Sequence, residues 1–467
     1  MAESDLGAEL ASHIPFITSG AYPPRPGNRV RPLVDGEPAF RRICEAVEAA
    51  TDSVWVTVAF LTADFEMPDG RGSLFDVLDR AAARGLDVRA IFWRVNPETQ
   101  VVEDETFPGL AHQLEMLAAR GSRFRARWDR GQKGYCQHQK SWVIDAGLDG
   151  EVAFVGGINL GRDDVVSPGH RSLGGEPHTH DVYVEVAGPA ATDVRHNFVQ
   201  RWNEASERGT PGGAWGEGGE DQLEFPTRLT APRGDSLVQI QRTVRAGHYT
   251  DGRASPGGEA FDIQAGETSI FDQYELAIAA ARRSIYIENQ TLFAPATLAA
   301  LKAALERGVE VVVLTPAKAE GQVRAARQRS ESQVLFDQLA GLGAYGRFAL
   351  VGIAGPSADG GRHDVYVHAK IMLIDDVWAT IGSCNIAGRS FFGDTEVNAS
   401  LWDPSVVRAL RCELLLEHLG VDTGDLDDRA ALTLYREIAA ANRIRREAGD
   451  PDWQGNAFTL DPARYAE

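Results

Sequence analysis

The sequence predicts an α/β protein made of two similar halves, each a mixed, mainly parallel sheet flanked by helices, packed about a pseudo-twofold axis as one bilobal unit. Three observations predict this class. Segments with helical and with strand periodicity alternate along much of the chain. The same signals recur in the same order in both halves, and one short polar motif occurs twice, 230 residues apart.

The first half begins with a helix, a strand, a helix and a strand. Apolar residues recur at helical spacing from Phe40 to Val47, and the strand-like segment 53–61 follows. A second apolar helix pattern ends at Gly85, a residue type that favours helix termini. The β-branched and aromatic run 86–93 then predicts the next strand.

The second half repeats this order. A helix pattern from Phe271 to Ala281 leads into the strand-like segment 284–293. The next helix pattern ends at Gly308 and is followed by the apolar strand 309–316. The halves therefore look like copies, and the first carries a longer loop around residues 60–72.

Composition separates the two halves from their flanks. The stretches 205–235 and 250–259 are dense in Gly, Pro and charge and lack an apolar period, as linkers and surface loops do. The predicted organisation is an N-terminal extension (1–30), a first half (31–205), a Gly/Pro-rich linker and loop region (206–262), a second half (263–425) and a C-terminal helical extension (426–467).

Each half carries an H-x-K-x4-D motif in an apolar, strand-like run. The histidine and lysine project from one face of an extended chain, and the aspartate falls on the other. A buried cationic pair is costly without an anion or another partner. A turn of small residues and an asparagine follow each motif. The residues are His138, Lys140, Asp145 and Asn159 in the first half and His368, Lys370, Asp375 and Asn385 in the second.

Two imidazoles, two ammonium groups and two carboxamides in one cleft would suit a tetrahedral phosphate, whose oxygens accept from Lys and Asn. One histidine can attack phosphorus while the other protonates the departing oxygen. A metal ion is disfavoured there, because the lysines repel cations and no carboxylate shares their face. The sequence thus predicts a catalytic unit that uses neither a metal nor another cofactor.

The overall composition limits which partners and which cellular compartment we expect for this protein. The chain is 43% hydrophobic and 24% charged, as in soluble globular proteins. Its net charge of -20 disfavours nucleic acid as a partner, because basic side chains supply most of that affinity. The acidic start lacks secretory-signal features, and no apolar run reaches membrane-spanning length. We expect a cytoplasmic protein with reduced cysteines, compatible with transient peripheral contact with a membrane surface.

The paired motifs resemble the HKD motifs of the phospholipase D superfamily. The resemblance extends through IYIENQTLF (285–293) and HDVYVEVAGPAATDVRHNFVQRW (180–202), covers about residues 30–425, and is closest to the catalytic core of true phospholipase D enzymes. It implies a two-step, metal-independent reaction through a phosphohistidine. By that resemblance His138 is the nucleophile and His368 the general acid, although the order of the motifs alone does not assign these roles.

The resemblance also implies supporting residues. Asp145 and Asp375 point away from the phosphate and orient their neighbours through hydrogen bonds. Glu396 supports the histidine of the opposite half. Glu288 sits at a strand end expected to face the cleft, with a structural role and a substrate contact both open.

The leading hypothesis is a phospholipase D-type phosphodiesterase that hydrolyses phospholipid headgroups to phosphatidic acid, with transphosphatidylation when an alcohol replaces water. One alternative is a phosphatidyltransferase of the cardiolipin synthase type, whose members commonly carry N-terminal membrane spans that are not seen in this sequence. Another is a phosphodiesterase acting on soluble diesters or nucleic acid. The last is a non-catalytic binding module, against which the intact motifs argue. A monomer is sufficient for the site, and the oligomeric state is left open.

Overall fold

The structure, a computed structural model, describes residues 13–99, 103–207 and 221–467. Within these residues the predicted α/β class with two similar halves is confirmed, since both halves contain a mixed sheet flanked by helices. The predictions for residues 1–12, in the N-terminal extension, and for 208–220, in the linker, lie outside the described residues.

The described part of the first half forms eight strands and four helices. In chain order they are β1 (Arg25–Val34), α1 (Gly36–Ala49), β2 (Ser53–Val58), α2 (Leu74–Ala83), β3 (Asp87–Trp93), α3 (Ala111–Arg120), β4 (Arg125–Asp129), β5 (Ser141–Ile144), β6 (Val152–Gly156), β7 (Thr179–His180), β8 (Val182–Ala187) and α4 (Pro189–Glu204). Short 3-10 turns lie at Glu103–Glu105 and Arg162–Asp164. The four elements that periodicity predicted in this half correspond to α1, β2, α2 and β3.

The second half begins with a strand that the linker prediction had covered. Its elements are β9 (Ser236–Val244), β10 (Glu267–Thr268), α5 (Ser269–Ala280), β11 (Ser284–Asn289), β12 (Leu292–Phe293), α6 (Pro295–Glu306), β13 (Glu310–Leu314), α7 (Gly321–Arg327), α8 (Gln333–Leu342), β14 (Phe348–Pro356), β15 (Arg362–Asp364), β16 (Tyr366–Val367), β17 (Lys370–Ile374), β18 (Trp378–Gly382), β19 (Ile386–Ala387), α9 (Gly388–Phe392), β20 (Glu396–Trp402), α10 (Pro404–Leu419), α11 (Asp428–Glu447) and β21 (Ala457–Thr459). Short 3-10 turns lie at Ile263–Ala265 and Ser330–Ser332.

The two sheets have the same strand order. It is β4-β3-β2-β5-β6-β8-β1 in the first half and β14-β13-β11-β17-β18-β20-β9 in the second. The first three strands of each run are parallel, because helices carry the chain back between them, and the later pairs are antiparallel. β1 and β9 also pair with each other and join the two sheets.

The cores explain why the halves form one body. Phe40 and Leu78 belong to a core of the first half, and Tyr274 belongs to a core of the second. A third, central core contains strand residues of both sheets, including Val184 and Ile381. The shared apolar core holds the two motif-bearing strands, β5 and β17, in fixed positions relative to each other.

The structure differs from the predicted domain boundaries at three places. β9, inside the predicted linker 206–262, is a buried strand of the second sheet. The Gly/Pro-rich stretches on both sides of β9 dominate the average composition of residues 206–262, so the strand pattern of β9 itself was missed. Within 426–467, β21 adds a strand to the predicted helical extension by pairing with β14. Ile14, in the predicted N-terminal extension, is buried in the core of the second half.

Candidate active site

The two motif histidines meet in one cleft between the halves. His138 lies just before β5 and His368 just before β17. Because β5 and β17 run antiparallel to their neighbours β2 and β11, both histidines lie at the carboxyl ends of these parallel-sheet strands. They line a cleft of about 1260 Å³ together with Asn159 and Asn385. The prediction placed both histidines within their strands, whereas the structure places them at the strand entrances, where they reach the cleft.

Each histidine is held by a carboxylate from the opposite half. His138 Nδ1 lies 2.8 Å from Glu396 Oε2, and His368 Nδ1 lies 2.6 Å from Asp181 Oδ2. These carboxylates are 0% and 1% exposed. An imidazole that donates its Nδ1 proton keeps a lone pair on Nε2 for attack or proton transfer. Each half thus supplies a carboxylate to the histidine of the other half, as expected for two similar halves that face each other.

Burial disfavours charge on these pairs. It lowers the pKa of His138 and of His368 well below the ordinary value, and the ammonium groups of Lys140 and Lys370 lower both further. Burial also raises the pKa of the Asp181 and Glu396 carboxyls to about 7. The neutral form of both histidines is therefore favoured, which the attacking histidine requires, whereas the acid catalyst must bind a second proton against this shift.

The motif lysines are buried beside the histidines rather than exposed in the cleft. Lys140 Nζ donates to the carbonyl oxygen of His138 at 2.8 Å. Lys370 Nζ donates to the carbonyl oxygen of His368 and, at 3.1 Å, to Gln290 Oε1. Burial lowers the pKa of Lys370 to about 8, although Asp181 opposes the shift. Each ammonium keeps at least one further proton to offer to a phosphate oxygen.

The two motif asparagines supply neutral groups at the same cleft. Asn159 follows β6 and Asn385 follows β18, at equivalent places in the two halves. The Oδ1 atoms of both are buried and have no hydrogen-bond partner among the described residues. These oxygens accept hydrogen bonds, so a phosphate oxygen would be bound by the Nδ2 groups of the same side chains.

The turn of small residues before each asparagine makes room for the supporting carboxylate. A Cβ on Gly157 would lie 2.4 Å from Asp181 Oδ1, so glycine permits the close approach. In the second half Ser383 takes this place, and its hydroxyl donates to Glu396 Oε2 at 2.6 Å. The turns therefore position the partners of the histidines.

Asp145 and Asp375 lie outside the cleft, in left-handed turns with φ of 54° and 55°. Asp145 Oδ1 accepts from the backbone N–H groups of Thr51 and Asp52 at 2.8 and 2.7 Å. Asp375 binds the backbone of residues 282–284 in the same way. The third residue of each motif thus fastens the end of its strand to the start of the neighbouring antiparallel strand, β2 or β11.

The structure gives Glu288 a different position from the predicted one and adds Asp181 to the site. Glu288, expected to face the cleft, is 0% exposed and bonds His180 Nε2 at 2.9 Å and the hydroxyl of Tyr286 at 2.6 Å. It misses the cleft because its side chain points from β11 into the space between the halves. Asp181 was not predicted. The duplication could have revealed it, because it precedes β8 as Glu396 begins β20, the equivalent strand.

Charged residues surround the cleft. Its lining includes the carboxylates of Asp64, Glu98, Glu105, Asp163, Asp164, Glu320 and Asp394, and the guanidinium groups of Arg162, Arg329 and Arg389. The acidic excess disfavours a long polyanion at the entrance. Among the described residues, two overlapping His and carboxylate groups have ligand atoms close enough for a metal ion, and neither lines the cleft.

Comparisons with known proteins identify related families. A family model described as "Cardiolipin synthase, PLD-like domain" matches residues 275–416, and one described as "Phospholipase D" matches residues 165–299. Over the residues that the structure describes, no helix combines the length and apolarity needed to cross a membrane.

The chain is similar to curated relatives along most of its length. Cardiolipin synthase 1 of Staphylococcus epidermidis is 25% identical over 424 residues, covering 89% of this chain and 74% of the relative. Cardiolipin synthase A of Pseudomonas entomophila is 29% identical over 403 residues, covering 83% and 67%. Phospholipase D A of Dictyostelium discoideum is 25% identical over 456 residues, covering 80% of this chain but 33% of the relative.

A solved structure shares the fold. The phosphatidylserine synthase of Haemophilus influenzae superposes with a TM-score of 0.57 and 13% identity, covering 95% of this chain and 99% of that one. Fold, family models and paired motifs lead to one conclusion: the chain belongs to the phospholipase D superfamily.

Proposed function

We propose that the protein is a phosphatidyltransferase of the cardiolipin synthase type, which moves a phosphatidyl group from one phospholipid to a hydroxyl of another through a phosphohistidine. The observation that carries the chemistry is the reciprocal pair of histidine–carboxylate contacts at one cleft. The cardiolipin synthases among the relatives support transfer over the hydrolysis that the sequence favoured.

In the first step, His138 Nε2 attacks phosphorus and forms an N–P bond. The bond from phosphorus to the departing headgroup oxygen breaks, and His368, which begins this step protonated on Nε2 as well as on Nδ1, gives its Nε2 proton to that oxygen. Lys140, Lys370 and the Nδ2 groups of Asn159 and Asn385 donate to the remaining phosphate oxygens and stabilise their charge. The lysines thereby supply the positive charge that a metal ion provides in other phosphoryl-transfer sites.

In the second step, His368 removes a proton from the incoming hydroxyl. The hydroxyl oxygen forms a new bond to phosphorus, and the N–P bond to His138 breaks. A phospholipid headgroup as acceptor gives transfer, whereas water gives phosphatidic acid. The same two histidines thus serve either outcome, and the occupant of the acceptor position decides between them.

The shape and chemistry of the cleft support a lipid substrate. Its volume of about 1260 Å³ exceeds that of an ordinary small-molecule site. Phe60, Trp93 and Phe293 add apolar surface to the lining. Phe392, 51% exposed, lies on α9 close to the cleft residue Arg389 and is suited to contact a membrane surface.

The test incubates the purified protein with vesicles of phosphatidylglycerol in parallel buffers with and without EDTA, and reads the products by mass spectrometry. Transfer gives cardiolipin and glycerol. His138→Ala should abolish both. Asp403→Asn is a matched control, because this residue caps α10 away from the cleft and asparagine caps helices equally well.

The second candidate is hydrolysis of the phospholipase D type, which the match to the "Phospholipase D" family model favours. Phosphatidic acid as the sole product, or phosphatidylethanol when ethanol is added, would select this candidate over transfer. Turnover of soluble diesters or DNA with no lipid product would overturn both.

A further inference from the structure

A second group of buried polar residues lies behind the catalytic pair formed by Asp181 and His368. It contains Asp35, at the start of α1, His170 in a loop, and His180 in β7, together with Glu417 from α10. The first three come from the first half and Glu417 from the second. None of the four lines the substrate cleft.

The side-chain atoms of this cluster converge on a common centre. His170 Nε2 lies 3.1 Å from Glu417 Oε1 and 3.4 Å from both Asp35 Oδ2 and His180 Nδ1. His180 Nδ1 lies 2.8 Å from Asp35 Oδ1. One ligand atom from each residue fits within 4.8 Å of the others. A tetrahedral ion with bonds of about 2.1 Å has ligand separations of about 3.4 Å, close to the 3.1 to 3.4 Å between His170 Nε2 and its three neighbours.

Two further features indicate that the cluster is built for a ligand. Asp35 Oδ2, on a residue 0% exposed, has no hydrogen-bond partner among the described residues, although it faces His170 Nε2. Asp35 and His170 also have φ of 64° and 50°, a left-handed conformation that residues other than glycine seldom adopt.

The charges and the surroundings of the cluster suit a divalent cation. Two carboxylates, Asp35 and Glu417, share this buried space, and without an ion their charge is compensated by a proton on His180, whose pKa Asp35 and Glu288 raise well above the ordinary value against the effect of burial. A 2+ ion balances both. His180 Nε2 lies 2.9 Å from Glu288 Oε2, so a ligand at Nδ1 would leave the second nitrogen donating to a carboxylate, as metal-bound histidines commonly do.

We propose that Asp35, His170, His180 and Glu417 bind a structural Zn²⁺ ion that joins the two halves behind the active site. Two imidazoles and two carboxylates form a closed four-ligand shell of the kind that zinc adopts. The site is distinct from the catalytic chemistry, which involves none of these side chains.

The ion would act on the active site through the backbone. The carbonyl oxygen of His180 accepts from the N–H groups of His368 and Ala369 at 2.8 and 3.1 Å. The N–H of Asp35 donates to the carbonyl oxygen of Asp181 at 2.9 Å. A bound ion would therefore fix the segment that supplies Asp181 and supports His368.

The test measures metal content and thermal stability. Wild-type protein purified without a metal-binding tag from zinc-supplemented cells should contain one equivalent of zinc by mass spectrometry. His170→Ala should lower this at least tenfold, whereas His178→Ala, a nearby histidine outside the cluster, should keep it. Protein from metal-depleted medium should gain several degrees in Tm on addition of Zn²⁺.

A second measurement uses only the wild-type protein, so it remains informative if the variants fold poorly. Metal-depleted wild-type protein titrated with Co²⁺ should develop the visible absorption of a tetrahedral centre at one equivalent. Wild-type protein that contains no stoichiometric metal and gives neither a Tm shift nor a Co²⁺ spectrum would overturn the inference, as would a His170→Ala variant that binds as much as His178→Ala. These readouts do not depend on lipid turnover, so the inference and the proposed function fail separately.

Discussion

The contact between Asp181 and His368 offers a direct test of the reaction chemistry. The substitution Asp181→Asn keeps the size of the side chain and removes its charge. The carboxylate lies 2.6 Å from Nδ1, and the two side chains are 1% and 6% exposed. Water therefore cannot replace the lost negative charge, and the protonated imidazole that the general acid requires becomes less accessible.

The expected loss follows from the burial. Once His368 is protonated it forms a buried charged pair with the Asp181 carboxylate, and removing one partner of such a pair costs about 3 to 5 kcal/mol. Because about 1.4 kcal/mol corresponds to a tenfold change in rate, kcat should fall by about two to four orders of magnitude. The assay is the initial rate of transfer with phosphatidylglycerol vesicles, accompanied by thermal unfolding to establish that the variant is folded.

The same Asp403→Asn control accompanies this experiment. It removes a carboxylate that caps α10 and lies outside the cleft lining, so kcat should stay within about threefold of the wild-type value. A folded Asp181→Asn variant with kcat in that same range would refute the reasoning, because it would mean that the imidazolium of His368 needs no buried anion.

The remaining predictions concern the histidines, the carboxamides and the pH dependence. A p-nitrophenyl phosphodiester has a leaving group that needs no proton. With this substrate His368→Ala should still release one equivalent of p-nitrophenol in a burst, and His138→Ala should release none. A burst from His138→Ala alone would mean that the two histidines have the opposite roles. Asn159→Ala and Asn385→Ala should each lower kcat/KM about tenfold to a hundredfold, since a hydrogen bond to a charged group contributes about 1.5 to 3 kcal/mol; unchanged steady-state kinetics would exclude the carboxamides from phosphate binding. The pKa of Lys370 near 8 means that its phosphate-binding ammonium form persists below that pH and is lost above it. The kcat/KM profile should therefore decline above about pH 8 and shift upward in Lys370→Arg, and a decline at the same pH in that variant would assign it to another group.

Local sequence patterns were sufficient for the repeated elements and for the motif residues. The helical spacing from Phe40 to Val47 and the strand-like run 284–293 correspond to α1 and to the strand pair β11 and β12. The duplication placed His138 and His368 in equivalent positions, and the structure brings both to one cleft. These features are encoded within short segments, where periodicity and spacing determine which side chains share a face.

Other features depended on which distant segments pack together. Asp181 reaches His368, and Glu396 reaches His138, only because the shared core sets the two sheets against each other. Glu288 turned away from the cleft for the same reason, since its partner His180 comes from the other half.

The sequence by itself determined the two-half architecture, the family resemblance and the paired motif residues, because each is recorded in local order and repetition. The tertiary structure alone decided the contact of Asp181 with His368, the strand β9 within the predicted linker, and the cluster of Asp35, His170, His180 and Glu417. Their geometry arises from contacts between residues that are remote in the chain, and such contacts exist only after apolar burial has fixed how the sheets and helices meet.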